Sequence, residues 1–180
     1  MQIQVQENKI TLINPDLLSD SFLQELNSFQ APWLAEKLLS EKVFYNIDEY
    51  NVAFIEFKKY VILASLYEDE RLAMTSKKVD AVWHQFILFT KEYALFCKKF
   101  LGKYLHHSPN TSFTPLNEGS GNKFRELYIK TFGKLHPIWI KNKSFCAECD
   151  DYDIKLGKKA PCASCEGDYD CCAGSNASKK

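Results

Sequence analysis

The longest stretch with a helical apolar pattern runs from residue 48 to residue 67, "DEYNVAFIEFKKYVILASLY". Phe54, Phe57 and Val61 recur in it at spacings of three and four, which is the period of an α-helix with a buried face. The stretch therefore predicts a core helix. At 180 residues the chain is long enough for a real core, so one domain plus a tail is expected.

The rest of the first 143 residues also predicts helices. Further helices are indicated by residues that commonly cap or end them: Ser19 or Asp20, Pro32, Ser76, Gly102 and Gly133. Before them, "QIQVQENKITLI" alternates apolar and polar residues, which weakly indicates a hairpin. The predicted fold class is mainly α: a compact helical domain with a small N-terminal β-hairpin and an irregular Cys-rich C-terminal tail.

The composition changes after residue 143, where few large apolar residues remain. Such a segment cannot bury enough surface to fold without help. We therefore divide the chain into a helical domain (1–143), a Cys-rich metal-binding segment (144–172) and a disordered end (173–180).

The Cys-rich segment carries the strongest chemical pattern of the sequence. Its two Cys-x-x-Cys pairs are followed by an adjacent pair: Cys146, Cys149, Cys162, Cys165, Cys171 and Cys172. Two Cys-x-x-Cys turns can complete a tetrahedral four-thiolate shell, which predicts Zn²⁺, with iron or copper as alternatives. Cys171 and Cys172 can supply an extra ligand, trap a second soft metal or stay reactive thiols. A metal-free or disulfide-linked tail is the competing interpretation.

Residues 79–109 contain a spaced set of aromatic, His and Cys residues. Its main members are Asp80, Trp83, His84, Tyr93, Cys97, Gly102, Tyr104, His106, His107 and Pro109. In this pattern the chain resembles the glycine-rich domain-containing protein-like family of bacteria, which has longer plant members. The resemblance implies an α-helical domain, in many members with a Gly- or Cys-rich tail, and no established reaction. Many relatives have Trp-His-x-His, whereas Phe86 replaces the second His here, which disfavours a metal site built on this helix alone.

Asp80 and His84 are four residues apart, so on a helix they share a face and can meet. A carboxylate beside an imidazole raises its basicity and fixes its tautomer. This arrangement suits a structural hydrogen bond, a general base or a pair behind a metal, and the sequence leaves the three alternatives open.

The segment "FILFTKEYALF" contains neither Gly nor Pro, so one continuous helix is predicted up to Gly102. In such a helix Cys97 lies about 20 Å along the axis from His84 and about 140° around it, and the two cannot share a metal. His106 and His107 follow Gly102 and are expected to reach Cys97 or Tyr93 but not His84.

The candidate catalytic residues are therefore Asp80, His84, Cys97, His106 and His107. A Cys97–His pair can be a nucleophile and its base, or a buried thiol beside a His that caps a helix end. If another element brings His106 or His107 near Asp80, these residues become a candidate carboxylate–His metal site.

Charge and targeting patterns narrow the function classes. Lys and Arg total 23 against 23 Asp and Glu, so no global field favours nucleic acid or an anionic membrane. The N-terminus lacks a basic start with an apolar core, and no apolar run approaches the ~18 residues of a spanning helix, so a cytoplasmic protein without a membrane partner is predicted.

Three functions follow as hypotheses. The preferred one is a cytoplasmic, non-enzymatic binding or regulatory module, whose zinc-ordered tail contacts a protein or nucleic-acid partner. The second is a metal-dependent or acid/base enzyme centred on Asp80, His84 and His106 or His107. The third is a thiol redox or metal-handling protein led by the tail cysteines. The sequence specifies no oligomeric state.

Overall fold

The computed structural model describes residues 9–70, 72–107 and 119–140. Within these ranges the chain forms six α-helices and no strand, which confirms the mainly α prediction. The helices are α1 (Asp20–Ser28), α2 (Pro32–Ser40), α3 (Ile47–Leu66), α4 (Lys77–Leu88), α5 (Thr90–Leu101) and α6 (Ser120–Phe132). Short 3₁₀ helices cover Pro15–Leu17 and Pro137–Trp139. Residues 1–8, in which the predicted hairpin begins, and the Cys-rich segment lie outside the described residues.

Three residues that were predicted to cap or end helices are confirmed in that role: Ser19, Ser76 and Gly102. Ser19 Oγ accepts a hydrogen bond from the Phe22 N–H, and Ser76 Oγ accepts one from the Val79 N–H. These side chains satisfy amides that have no partner inside the first helical turn. Gly102 follows α5 with φ 68°, a left-handed conformation that glycine adopts without steric cost.

The core is built around α3, which packs against α2, α4 and α6. Its buried rings join aromatic side chains from other parts of the domain in one connected set: Phe29, Phe54, Phe57, Phe86, Phe96 and Phe100. Burial of these rings from water is the main source of stability for such a domain. No helix of the described ranges is long and apolar enough to cross a membrane.

The structure shows that the prediction of one continuous helix was wrong. Phe89 separates α4 from α5 and has φ −83° and ψ 65°, close to an inverse γ-turn. Trp83 and Tyr93 are ten residues apart, about 15 Å along a straight helix. Yet the Trp83 indole N–H donates to the Tyr93 hydroxyl at 2.8 Å. The corner at Phe89 therefore turns α5 back toward α4.

Aromatic packing favours this corner. The change of direction at Phe89 allows the Phe86 ring to contact both Tyr93 and Phe96, with a centroid distance of 5.2 Å in each case. The Phe89 ring itself packs against Trp33 at 4.6 Å. Each of the two helices buries its own apolar face, and Leu88, beside the corner, lies outside these faces and is 71% exposed.

Two charged residues of α3 are buried. Glu56 accepts hydrogen bonds from the Trp139 indole N–H at 2.6 Å and the Tyr128 hydroxyl at 2.8 Å, and forms an ion pair with Lys59 at 2.7 Å. Lys58 donates to the carbonyl oxygen of Phe29, just past the end of α1. Through Glu56, α3 is hydrogen-bonded to α6 and to the 3₁₀ helix of Trp139. Through Lys58, it is hydrogen-bonded to the carboxyl end of α1.

Candidate metal centre

The candidate site begins in the first turn of α4. The Asp80 N–H donates to the Ser76 carbonyl at 2.9 Å, and the carboxylate lies near the positive end of the helix dipole. One turn later, His84 Nε2 lies 3.8 Å from Asp80 Oδ1. This separation is too long for a hydrogen bond, so the two residues share a face without being bonded to each other.

The third member arrives from a distant part of the sequence. Beyond α5 the chain turns at Gly102, and residues 103–107 continue without helical structure. This segment brings His107 Nε2 to 3.0 Å from Asp80 Oδ1, a hydrogen-bonding distance. The expectation that His107 cannot reach His84 was wrong, because it depended on the continuous helix.

Asp80, His84 and His107 each offer a ligand atom, and these atoms lie within 4.8 Å of one another. The three side chains differ in exposure: 32% for Asp80, 56% for His84 and 13% for His107. His107 and Asp80 form the partly buried side of the group, and His84 forms its solvent side.

The imidazoles are packed face to face. The His107 ring stacks on the Trp83 indole at 4.3 Å with 15° between the planes, and on the His84 ring at 4.4 Å with 24°. Stacking restricts the rotation of the His107 side chain. The nitrogen that faces Asp80 is therefore held by contacts on the ring as well as by the hydrogen bond.

The negative charge of Asp80 also acts on the core. Burial, together with the Asp80 charge, raises the pKa of Tyr60 well above its ordinary range. The Tyr60 hydroxyl therefore stays protonated and donates to the Leu72 carbonyl at 3.0 Å.

Two imidazole nitrogens and one carboxylate oxygen are ligands that suit Zn²⁺ and other first-row transition ions. Three protein ligands leave at least one coordination position for water or a substrate. The hydrogen-bonded Asp80–His107 pair is also suited to proton transfer without a metal. Both chemistries can take place at the same group of atoms.

The comparisons with known proteins identify the family. A family model described as UCP032817-like matches residues 21–131, well over half of the chain. The chain belongs to the UCP032817-like family. No curated protein and no solved structure matches it.

This family assignment overturns the resemblance drawn from the sequence. The pattern of residues 79–109 suggested the glycine-rich domain-containing protein-like family, but the match is to the UCP032817-like family, and nothing points to the former. The assignment to a glycine-rich domain family was therefore wrong, since a spaced set of common aromatic and His residues is less specific than it looked.

The UCP032817-like match includes the whole candidate metal centre, from Asp80 to His107. It ends at residue 131, before Cys146. The predicted metal ligands Cys146, Cys149, Cys162 and Cys165, and the extra pair Cys171 and Cys172, lie outside both the match and the described residues. Zinc binding by the tail stays a prediction.

Two of the candidate catalytic residues lie apart from the group. Cys97 is buried in the core on α5, where it is 1% exposed, and it is not among the clustered ligands of the described residues. His106 is exposed and its ring packs against Tyr104 at 4.8 Å. Within the described chain, His107 alone of the adjacent pair forms a hydrogen bond with Asp80.

The sequence did not reveal the residues that support His107. The Trp83 indole N–H donates to the Tyr93 hydroxyl, which donates to the Leu105 carbonyl at 2.6 Å. The sequence predicted that His106 and His107 could reach Tyr93, but it did not indicate the hydrogen bond between Trp83 and Tyr93. Their ten-residue separation gives no helical signal, and the corner at Phe89 alone brings them together.

Proposed function

We propose that this UCP032817-like domain binds a divalent transition-metal ion through Asp80, His84 and His107. The single observation that carries the proposal is the convergence of their ligand atoms within 4.8 Å. His107 is 27 residues from Asp80 in sequence, and its Nε2 nevertheless lies 3.0 Å from the Asp80 carboxylate. A long-range contact between two good ligands is more specific than the i, i+4 pair alone.

The ligand set favours borderline ions over hard or soft ones. Imidazole suits Zn²⁺, Fe²⁺, Co²⁺ and Ni²⁺, whereas Mg²⁺ and Ca²⁺ prefer shells of oxygen and Cu⁺ prefers sulfur. Two His and one carboxylate with open positions are shared by hydrolytic zinc sites and non-haem iron sites. A bound ion of this kind can act as a Lewis acid on a water molecule or a carbonyl group.

The open coordination position supports the enzymatic alternative over a purely structural ion. Structural zinc sites are usually closed by four protein ligands, and this group supplies three. His84, whose side chain is 56% exposed, places the open side toward solvent. A substrate can therefore approach the ion without rearrangement of the core.

The test uses the full chain with the six tail cysteines replaced by serine, so that only the helical domain contributes His and Asp ligands. Zn²⁺ binding is measured by calorimetry and Co²⁺ binding by visible absorption. We expect one ion per chain, and a loss of affinity of about 100-fold or more in Asp80→Ala and His107→Ala, because each substitution removes a ligand.

The matched control is His106→Ala, which removes a neighbouring exposed imidazole and is expected to leave affinity unchanged. Equal affinity in His106→Ala and His107→Ala would mean that the ion is held elsewhere. Absence of stoichiometric binding in the all-serine tail variant, which is the parent of these substitutions, would refute the proposal.

A second candidate is a zinc-ordered tail that contacts a protein or nucleic-acid partner. The spacing of Cys146, Cys149, Cys162 and Cys165 favours it. Protein purified anaerobically and the all-serine tail variant are compared by elemental analysis. We expect one more zinc per chain in the unmodified protein, and equal metal contents would rule out the tail site.

A further inference from the structure

A hydrogen-bond chain links the core of the domain to the segment that carries His107. The Trp83 indole Nε1–H donates to the Tyr93 hydroxyl at 2.8 Å, and that hydroxyl donates to the Leu105 carbonyl at 2.6 Å. Trp83 lies on α4 and Tyr93 on α5, while Leu105 is two residues before His107. The backbone of the segment is thus tied to both helices.

The same indole also holds the ring of the proposed ligand. Trp83 stacks on His107 at 4.3 Å with nearly parallel planes. Trp83 is 4% exposed and packs against Tyr60 and Phe57, so it is a fixed surface rather than a mobile one. His84, on the other hand, is exposed and cannot fix the ring to the same extent.

We infer that Trp83 and Tyr93 are positioning residues for the metal ligand His107. The inference rests on the proposed metal site. Trp83 fixes the imidazole ring through stacking, and Tyr93 fixes the backbone two residues earlier through the Leu105 carbonyl. Together they order His107 before the ion binds, so that less conformational entropy is lost on binding.

The Tyr93 hydroxyl is suited to act as a hydrogen-bond donor to the Leu105 carbonyl. Its ring is buried, and burial raises the pKa of Tyr93 far above its ordinary range. The hydroxyl therefore keeps its proton at neutral pH and donates to the Leu105 carbonyl at 2.6 Å. No other atom of the described residues forms a hydrogen bond with that carbonyl.

The test is Tyr93→Phe in the all-serine tail variant, since phenylalanine keeps the ring and removes only the hydroxyl. We expect the Zn²⁺ dissociation constant to rise by about 10- to 100-fold, as for other groups that orient a metal ligand. Tyr104→Phe is the matched control, because Tyr104 belongs to the same segment but makes no hydrogen bond to it in the described structure. It is expected to bind as the parent does.

A spectroscopic measurement separates positioning from a general loss of stability. Because the two rings are stacked, the Trp83 ring current is expected to shift the His107 Cε1–H resonance upfield in the parent. Tyr93→Phe is expected to reduce that shift while the helical circular dichroism is retained. The visible spectrum of bound Co²⁺ is expected to change in the same variant, because it depends on ligand geometry.

If Tyr93→Phe does not fold, Trp83→Phe provides the same test. It keeps an aromatic face for His107 but removes the N–H donor, so a weaker loss of affinity, about tenfold, is expected. A folded variant with parent-like affinity and with the His107 resonance at its parent position would overturn the inference while leaving the metal site intact. A parent that binds no ion would instead overturn the proposed function.

Discussion

Lys58 carries an ammonium group inside the domain, where it donates to the carbonyls of Asn27 at 3.4 Å and Phe29 at 2.7 Å. These oxygens lie at the carboxyl end of α1, which carries partial negative charge. The interaction does not fully replace water, and burial lowers the pKa of Lys58 to about 8. The ordinary lysine value of about 10.4 applies in the unfolded chain.

Lys58 therefore makes stability rise with pH between these two values, because the unfolded state binds more protons there. Well below pH 8, Lys58 is charged in the folded and in the unfolded chain, and its burial lowers the free energy of unfolding by the full amount. Well above about pH 10.4, Lys58 is neutral in both states and this destabilisation is absent. We predict that the stability difference between the parent and Lys58→Met shifts in favour of the parent by on the order of 3 kcal/mol from pH 7 to pH 10.5. Urea unfolding at both pH values measures it, with exposed Lys77→Met as the control. A constant difference would contradict this assignment.

Glu56 is 2% exposed and is satisfied by three donors, from Lys59, Tyr128 and Trp139. Glu56→Gln removes the charge that these donors face while keeping the shape. We predict a loss of about 2–3 kcal/mol in the free energy of unfolding. The same change at the exposed residue Glu36 is expected to cost less than about 0.5 kcal/mol. Similar losses at the two positions would mean that the buried network contributes little.

Neither buried charge could be predicted from the sequence. The apolar positions of α3 follow helical spacing, and Glu56 and Lys58 occupy the polar positions between them, which normally face solvent. They are buried because α1 and α6 cover those faces of α3 as well. Coverage of this kind is decided by tertiary packing and leaves no local signal.

Helix ends were predictable, whereas the corner between α4 and α5 was not. Ser19, Ser76 and Gly102 have side-chain or backbone properties that act locally, and the structure confirms them. Phe89 adopts φ −83° and ψ 65°, which is open to any L-residue, so no Gly or Pro is required there. The corner depends on aromatic contacts between residues that meet only after folding.

Gly102, just past the end of α5, and Gly121, in the first turn of α6, are expected to respond to substitution by alanine in opposite directions. Gly102 has φ 68° and open space around its Cβ position, so Gly102→Ala tests backbone strain alone, with an expected cost of about 1 kcal/mol. Gly121 lies within α6, and an added Cβ would make an ordinary 3.7 Å contact with Thr75. Gly121→Ala is expected to stabilise by about 0.5 kcal/mol. Chemical denaturation compares them, and effects of the same sign would contradict the assigned conformations.

At the scale of the whole molecule, the fold brings together residues that the sequence separates into two groups. Asp80 and His84 were predicted as a pair. The alternative in which His107 joins them required a part of the fold that brings His107 back to Asp80, and the sequence did not show where that part lies. The corner at Phe89 and the turn at Gly102 are that part of the fold. The nature of the candidate ligands was thus predictable, and their convergence was not.

Metal binding at this centre predicts a gain in global stability, because an ion that binds only the folded chain shifts the unfolding equilibrium. In the all-serine tail variant, Zn²⁺ at 100 times its dissociation constant is expected to add about 2.7 kcal/mol. His107→Ala should lose this gain at the same zinc concentration, whereas His106→Ala should retain it. Thermal unfolding with and without zinc measures the gain, and an equal gain in His107→Ala would place the ion elsewhere.

Anomalous X-ray scattering at the zinc edge locates the ion directly, in crystals of the all-serine tail variant grown with equimolar Zn²⁺. We expect a peak about 2.0–2.2 Å from nitrogens of His84 and His107 and from a carboxylate oxygen of Asp80. A fully occupied zinc peak elsewhere, with Asp80 Oδ1 still hydrogen-bonded to His107 Nε2, would contradict it.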